Sequence, residues 1–328
     1  MDEARIERLL GATPRLAYED ILRHPGLADG RKVYLDRFVD LYDDNPFLVR
    51  LLIETGRFAV FLMTIVLDAA QDPERRDTWL TIGRLQREMS FFGLASTRHV
   101  DTLVDRLCAV GLIESRPSPH DRRLRILHAT EAARAHDRAW LAAHFAPLAV
   151  CFPQHDYASM LRRDPHFHLR FRRAGAPLLR LGAKLIRAAP DMHLFFAHAG
   201  GYMVLAALLQ AALAAGDGLD AALPYVHAGE RFGISRTQVR RLLVTAQAAG
   251  LVRLHERGGR RVEILARLWA SHDRALACRL YLYDLVHVAA SRRDVAHPET
   301  SIAPPDIAQL VAASAIASAA LPAVQSAL

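Results

Sequence analysis

The feature that most constrains this chain is an internal repeat. Residues 96–113 read STRHVDTLVDRLCAVGLI, and residues 235–252 read SRTQVRRLLVTAQAAGLV. With Ser96 set on Ser235, Val100 falls on Val239, Leu103 on Leu242, Gly111 on Gly250 and Leu112 on Leu251, without a gap. Just beyond, Arg122-Arg123-Leu124-Arg125-Ile126-Leu127 is echoed by Arg260-Arg261-Val262-Glu263-Ile264-Leu265. Upstream, Pro46 stands twelve residues before Phe58, as Pro190 does before Tyr202. A polar cap, a helix, a Gly-Leu exit and a basic hairpin predict a winged helix-turn-helix. The repeat therefore predicts two such units, over roughly 30–146 and 174–290.

At 328 residues the chain has room for two ordinary domains. An apolar share of 52% with 7% aromatics describes a mostly helical protein, and the repeat adds small β-hairpin wings to this mainly α fold, the two units forming a pseudo-dimer within one chain. Net charge is +7, which favours a polyanionic partner. Lysine occurs only at Lys32 and Lys184, so the basic charge is almost all arginine. Heavy Arg and Ala usage is also what a GC-rich genome produces, so the placement of Arg carries the argument. Cys108, Cys151 and Cys278 are odd in number and lack metal spacing, which fits a reducing cytoplasm; the DNA-binding reading given below would make the setting bacterial and nucleoid-associated when bound. The start, MDEARIERLL, is charged from residue 2 and predicts no signal peptide. The longest apolar stretches, 58–67 and 202–215, are too short to span a bilayer and predict buried core helices.

The expected organisation is 1–146, N-terminal helices with the first unit; 147–173, an irregular linker; 174–290, the second unit; and 291–328, an Ala-rich tail with a helix. Helical patterns in 1–44 break at Gly11-Ala12-Thr13-Pro14 and at His24-Pro25-Gly26. A helix is expected over 47–70, then a helix over 81–89, a turn over 91–95 and the recognition helix over 96–110, capped by Ser96. Val100, Leu103, Val104 and Leu107 form its inward stripe. Strands at 112–114 and 124–127 and a helix at 130–146 complete the first unit. The second runs 190–215, 222–231, a Gly233-Ile234 turn, 235–249, and a wing over 253–265 turning at Gly258-Gly259.

A helix fits the major groove, and side chains in its first turns reach base edges. In the first unit these are Thr97, Arg98, His99, Asp101 and Thr102. In the second they are Arg236, Thr237, Gln238, Arg240 and Arg241, a sharper set, because Arg can pair with guanine and Gln with adenine. Arg122 and Arg123, with Arg257, Arg260 and Arg261, are placed on the wings to clasp phosphates or enter a minor groove. Residues 235–265 hold seven Arg against two Glu, a balance of +5, whereas 96–127 hold six Arg against four acids, a balance of +2. The second unit is therefore expected to supply more of the phosphate affinity.

The first copy resembles the MarR-type winged-helix regulators. The resemblance rests on Val100-Asp101-Thr102-Leu103-Val104-Asp105-Arg106-Leu107, Gly111-Leu112-Ile113, Arg116-Pro117, Asp121-Arg122-Arg123 and Thr130-Glu131-Ala132. It is specific over 96–134 and looser elsewhere. It implies a wing-tip Asp-x-Arg, with Arg123 as the groove contact, and a tandem form of a family whose members are usually homodimers on palindromic DNA.

Together these features predict a DNA-binding transcriptional regulator, a repressor rather than an activator, that reads two unlike half-sites on double-stranded DNA. No cofactor, metal, catalytic residue or membrane association is expected. His166-x-His168 is a weak metal pattern, and the repeated His-Asp-Arg-Ala at 136–139 and 272–275 places residues side by side on a helix, where they do not face each other. It reads as a solvated, capping or interface feature. A small-molecule effector between the units, near 58–67 and 202–213, and homodimerisation stay open. So do a protein-interaction module, a replication initiator and a chromosome-partition factor.

Overall fold

A computed structural model describes residues 8, 10–43, 55–92, 97–118, 121, 123–179, 189–216 and 218–292. The fold is mainly helical with two small antiparallel sheets. Helix α1 (Tyr18–Leu22) leads to α2 (Leu27–Asp43), separated where expected, with the His24 ring accepting from the Gly26 amide. Leu27, Tyr34, Leu35, Phe38, Val39 and Tyr42 form the buried stripe of α2. The first copy continues with α3 (Thr55–Ala69), α4 (Ile82–Phe92), α5 (Thr97–Ala109), strands β1 (Ile113–Pro117) and β2 (Arg125–Ala129), and α6 (Glu131–Cys151). Pro46, the expected helix start at 47–54, the turn residues 93–95 and the Ser96 cap lie outside the described residues.

The stretch expected to be an irregular linker is instead largely helical. Helix α6 runs through Pro147 to Cys151, followed by α7 (Ala158–Leu161) and α8 (Pro165–Gly175). Asp164 caps α8 by accepting from the Phe167 amide at 2.7 Å, with Pro165 in the first turn. Phe167, His168, Phe171 and Arg172 then bury one face at helical spacing, which is why the segment folds.

The second copy comprises α9 (Pro190–Phe196), α10 (Gly201–Ala215), β3 (Asp220–Ala221), α11 (Tyr225–Phe232), α12 (Arg236–Ala248), β4 (Val252–Leu254), β5 (Val262–Ile264) and α13 (Ala266–Ser291). The expected run over 190–215 is two helices bent by 112°. Gly200 takes φ +68°, and a Cβ on Gly201 would lie 2.2 Å from the Phe195 carbonyl oxygen, so the corner requires glycine. The tail beyond 292 lies outside the described residues.

The first sheet pairs β1 with β2, Ile113 facing Ala129; the second has the order β3-β5-β4, Val252 facing Ile264. Ile113 and Val252 are equivalent in the repeat, so Ile264 matches Ala129 and not Ile126. The echo of Arg122–Leu127 in Arg260–Leu265 is therefore out of structural register, because the first hairpin has longer strands, five residues each against three.

Among the described residues two hydrophobic cores form. The smaller draws on α3, α4, α5 and the first hairpin through Val60, Phe61, Leu85, Val100, Leu103 and Leu127. The larger joins α2, the end of α6, α8 and the whole second copy through Tyr34, Phe38, Phe145, Phe171, Leu205 and Leu280. The helices that lead into each copy bridge the two: α2 packs on α6 of its own copy and on α10 of the second, while α8 packs on α13 of the second copy and on α3 of the first. We call this junction the seam. Burial therefore does not divide the chain at 146 and 174. The apolar stretches 58–67 and 202–215 are core helices, with Val60, Phe61, Ile65, Val204, Leu208 and Leu209 buried.

Candidate nucleic-acid interface

Helices α11 and α12 cross at a turn that small residues make possible. Gly233 ends α11 with φ +63°, and the Ile234 amide donates to the Gly229 carbonyl. A Cβ on Gly229 would come 2.7 Å from the Ile234 carbonyl oxygen, so the turn folds directly onto α11. Ser235 caps α12 reciprocally: the Gln238 amide donates to Ser235 Oγ at 3.2 Å, and the Ser235 amide donates to Gln238 Oε1 at 2.8 Å. Val239, Leu242, Leu243 and Ala246 face the core.

The opposite face of α12 is exposed, and it carries Arg236, Thr237, Gln238, Arg240 and Arg241. Sequence reasoning missed Val244, which shares this face and is 46% exposed. Its signal was phase, since it falls outside the inward stripe. Gln238 has a structural role beside its expected one. Its Oε1 accepts from the Ser235 amide, so a two-pronged contact with adenine would draw on the same oxygen as the cap.

In the first copy Val100, Leu103, Val104 and Leu107 are buried as expected. Arg98 and Thr102 are exposed and His99 is half-buried; the Thr97 side chain lies outside the described residues. Thr102 Oγ1 donates back to the Arg98 carbonyl at 3.3 Å. Asp101 and Asp105 share this surface, and Asp101 accepts from Gln86 Nε2 at 2.6 Å. The outward face of α5 is thus of mixed charge, whereas that of α12 is basic.

The two hairpins present arginine differently. Arg123 is exposed at the first tip, its amide donating to Asp121 Oδ1 at 3.0 Å, and the Ser118 amide closes the tip on Leu124. Arg122 lies outside the described residues. In the second hairpin Arg257 and Arg260 are exposed. Arg261 is exposed but pairs with Asp220 at 3.1 Å, clamping β5 to β3. Among the described residues no ion pair engages Arg236, Arg240, Arg241, Arg257 or Arg260. Behind them His255 donates to Glu263 at 2.6 Å, and this bond, aided by Arg253, holds the Glu263 carboxyl below its usual range.

The repeated His-Asp-Arg-Ala belongs to the seam and not to the solvated surface. Asp137 is buried, bonded to His168 Nε2 at 2.6 Å and to Arg172 Nε at 2.8 Å. Burial alone would raise its carboxyl; Arg172 and His168 outweigh that and hold it below the usual range. Asp273 pairs with Arg31 at 2.7 Å. Each aspartate thus meets an arginine from the other copy's leading helix. Arg279 of α13 donates to Tyr34 Oη at 2.6 Å, beside His144 Nε2 at 3.1 Å and Tyr202 Oη at 3.4 Å. Burial, with Arg279 adjacent, holds His144 well below its ordinary value, hence neutral and able to accept.

Among the described residues no group of three or more His, Cys, Asp or Glu could hold a metal. Burial raises the thiols of Cys151 and Cys278 to about 11 and pushes Cys108 in the same direction. A groove of about 370 Å³ runs beside the seam between Asp36, Gln210, His227 and Arg231, over a floor of Ala207 and Ala211. Among the described residues no single helix is long and apolar enough to cross a membrane, and the bent pair that passes by composition is the buried α9–α10 corner. Compared with known proteins, the chain matches no family model, no curated protein and no solved structure.

Proposed function

We propose that the chain is a DNA-binding transcriptional regulator with tandem winged helix-turn-helix units, a pseudo-dimer in one polypeptide. The observation that carries this reading is the exposed face of α12, where Arg236, Arg240 and Arg241, like the exposed Arg257 and Arg260 of the hairpin, are engaged by no ion pair among the described residues. Unpaired guanidinium groups on a protruding helix complement phosphate and guanine. The two recognition helices would enter successive major grooves about 34 Å apart, with the hairpins on the flanking backbone. The second unit carries more of the contact, since α5 presents Asp101 and Asp105 where α12 presents Arg240 and Val244. Occupying a promoter requires no polymerase contact, so repression is the simpler outcome. The MarR-type resemblance of the first copy agrees with this assignment.

The acidic residues of α5 favour a second reading, a protein-interaction module. Fluorescence anisotropy against random-sequence duplex at several salt concentrations separates the two. Binding that falls steeply with salt supports the regulator. Absence of binding at low salt supports the interaction module.

A further inference from the structure

On α12, Thr237, Arg241, Val244 and Ala248 recur at spacings of four, three and four and are all exposed. They form the outermost ridge of the helix, directly opposite the buried Val239, Leu242, Leu243 and Ala246. Val244 lies on that ridge at 46% exposure. A β-branched side chain is a poor helix former at an exposed site and gains nothing from water there. It does offer two methyl groups at the most protruding line of the helix, flanked by Arg240 and Arg241. Among the bases, thymine alone displays an apolar group in the major groove, its 5-methyl.

We propose that Val244 is a specificity-determining residue that packs against a thymine methyl in the half-site of the second unit. This rests on the DNA-binding reading above. The repeat sharpens it, because the equivalent position in the first copy is the exposed Asp105. A carboxylate there can accept from the cytosine amino group but has no affinity for a methyl. The two heads therefore prefer different bases at the same structural position, and the composite site is asymmetric.

The test begins with the duplex selected from a random library by the full chain. Each thymine is replaced singly by deoxyuridine, which removes only the methyl, and affinities are measured for the wild-type protein and for Val244→Ala. Alanine is the better helix former at an exposed position, so the fold is expected to survive, as a thermal melt would verify. The expected result is one thymine whose replacement weakens wild-type binding about fourfold and leaves Val244→Ala unaffected. If every replacement affects both proteins equally, or none affects either, the assignment of Val244 is overturned while DNA binding stands. If no duplex is selected or bound at low salt, the regulator reading fails, and the assignment of Val244 with it.

Discussion

Arg172 reaches Asp137 across the seam, its Nε 2.8 Å from Oδ2, with both side chains almost wholly shut off from solvent. Arg31 and Asp273 make the corresponding contact in the other direction, at 15% and 22% side-chain exposure. Burial makes the first pair the more sensitive. Asp137→Ala leaves a guanidinium buried and unpaired and is expected to cost about 3–5 kcal/mol. Asp273→Ala leaves a partly hydrated one and is expected to cost about 2 kcal/mol. Urea unfolding curves check the ranking, and equal losses would contradict it. Adding Arg172→Met to Asp137→Ala should restore most of the loss.

Acid should destabilise the protein well before its carboxylates titrate. Burial, with Arg15 alongside, lowers His287 to about 4. The unfolded chain takes up this proton near the ordinary histidine value of about 6.5, whereas the folded one refuses it until about 4. Stability is therefore complete above the unfolded value and falls as pH drops from about 6.5 to 4. Between pH 7 and 5 this group alone accounts for about 2 kcal/mol. His144 and His272 are shifted in the same direction by burial and add to the slope. Denaturant midpoints at the two pH values test this, and His287→Gln should flatten part of the difference.

The second hairpin depends on one glycine more than on its neighbour. Gly259 has φ +78°, and a Cβ there would sit 2.2 Å from the Leu223 carbonyl oxygen, whereas Gly258 has φ +76° and open space. Gly259→Ala should cost about 2 kcal/mol or more, and Gly258→Ala about 1 kcal/mol. Hydrogen exchange of the Leu223 amide, which donates to Gly259, reads the local loss directly.

Replacing Arg240 and Arg241 together by Ala should weaken DNA binding more than Arg98→Ala. Each lost guanine contact costs about 1–3 kcal/mol. Arg123→Ala should lower affinity without altering the fold and reduce the salt slope by about one. An unchanged slope in that variant would remove the first hairpin from the phosphate contacts.

Gln238→Ala should behave as a cap mutation. It loses about 1 kcal/mol of stability, with little change in which base is preferred. A thermal melt beside a base-preference profile distinguishes this from a reading role.

What was legible in the sequence was local. The inward stripes of α5 and α12, the Gly233 turn and the glycines of the second hairpin follow from spacing and backbone chemistry within a few residues. Contacts between distant parts of the chain were not legible. The sequence leaves the His-Asp-Arg-Ala repeat open between a solvated, a capping and an interface feature, because Arg172 stands 35 residues from Asp137 and Arg31 stands 242 residues from Asp273. The segment 147–173 reads as irregular in the sequence, yet Pro165 starts α8 and Pro147 sits inside α6. The capping role of Gln238 was not legible, because a cap and a base reader use the same residue at the same place. The outward phase of Val244 is legible in the sequence, since it falls outside the inward stripe of Val239, Leu242, Leu243 and Ala246.

Arg279 has a consequence for how this molecule can change over generations. It lies where α2, α6, α10 and α13 meet, bonded to Tyr34 and next to His144 and Tyr202, and the aligned place in the first copy holds Ala143. In an assembly of identical chains every substitution arrives in duplicate, so a central charge would confront its own image. With both copies on one polypeptide each substitution arrives once. The partnership can then keep Arg279 on one side only while Asp105 and Val244 drift towards different bases.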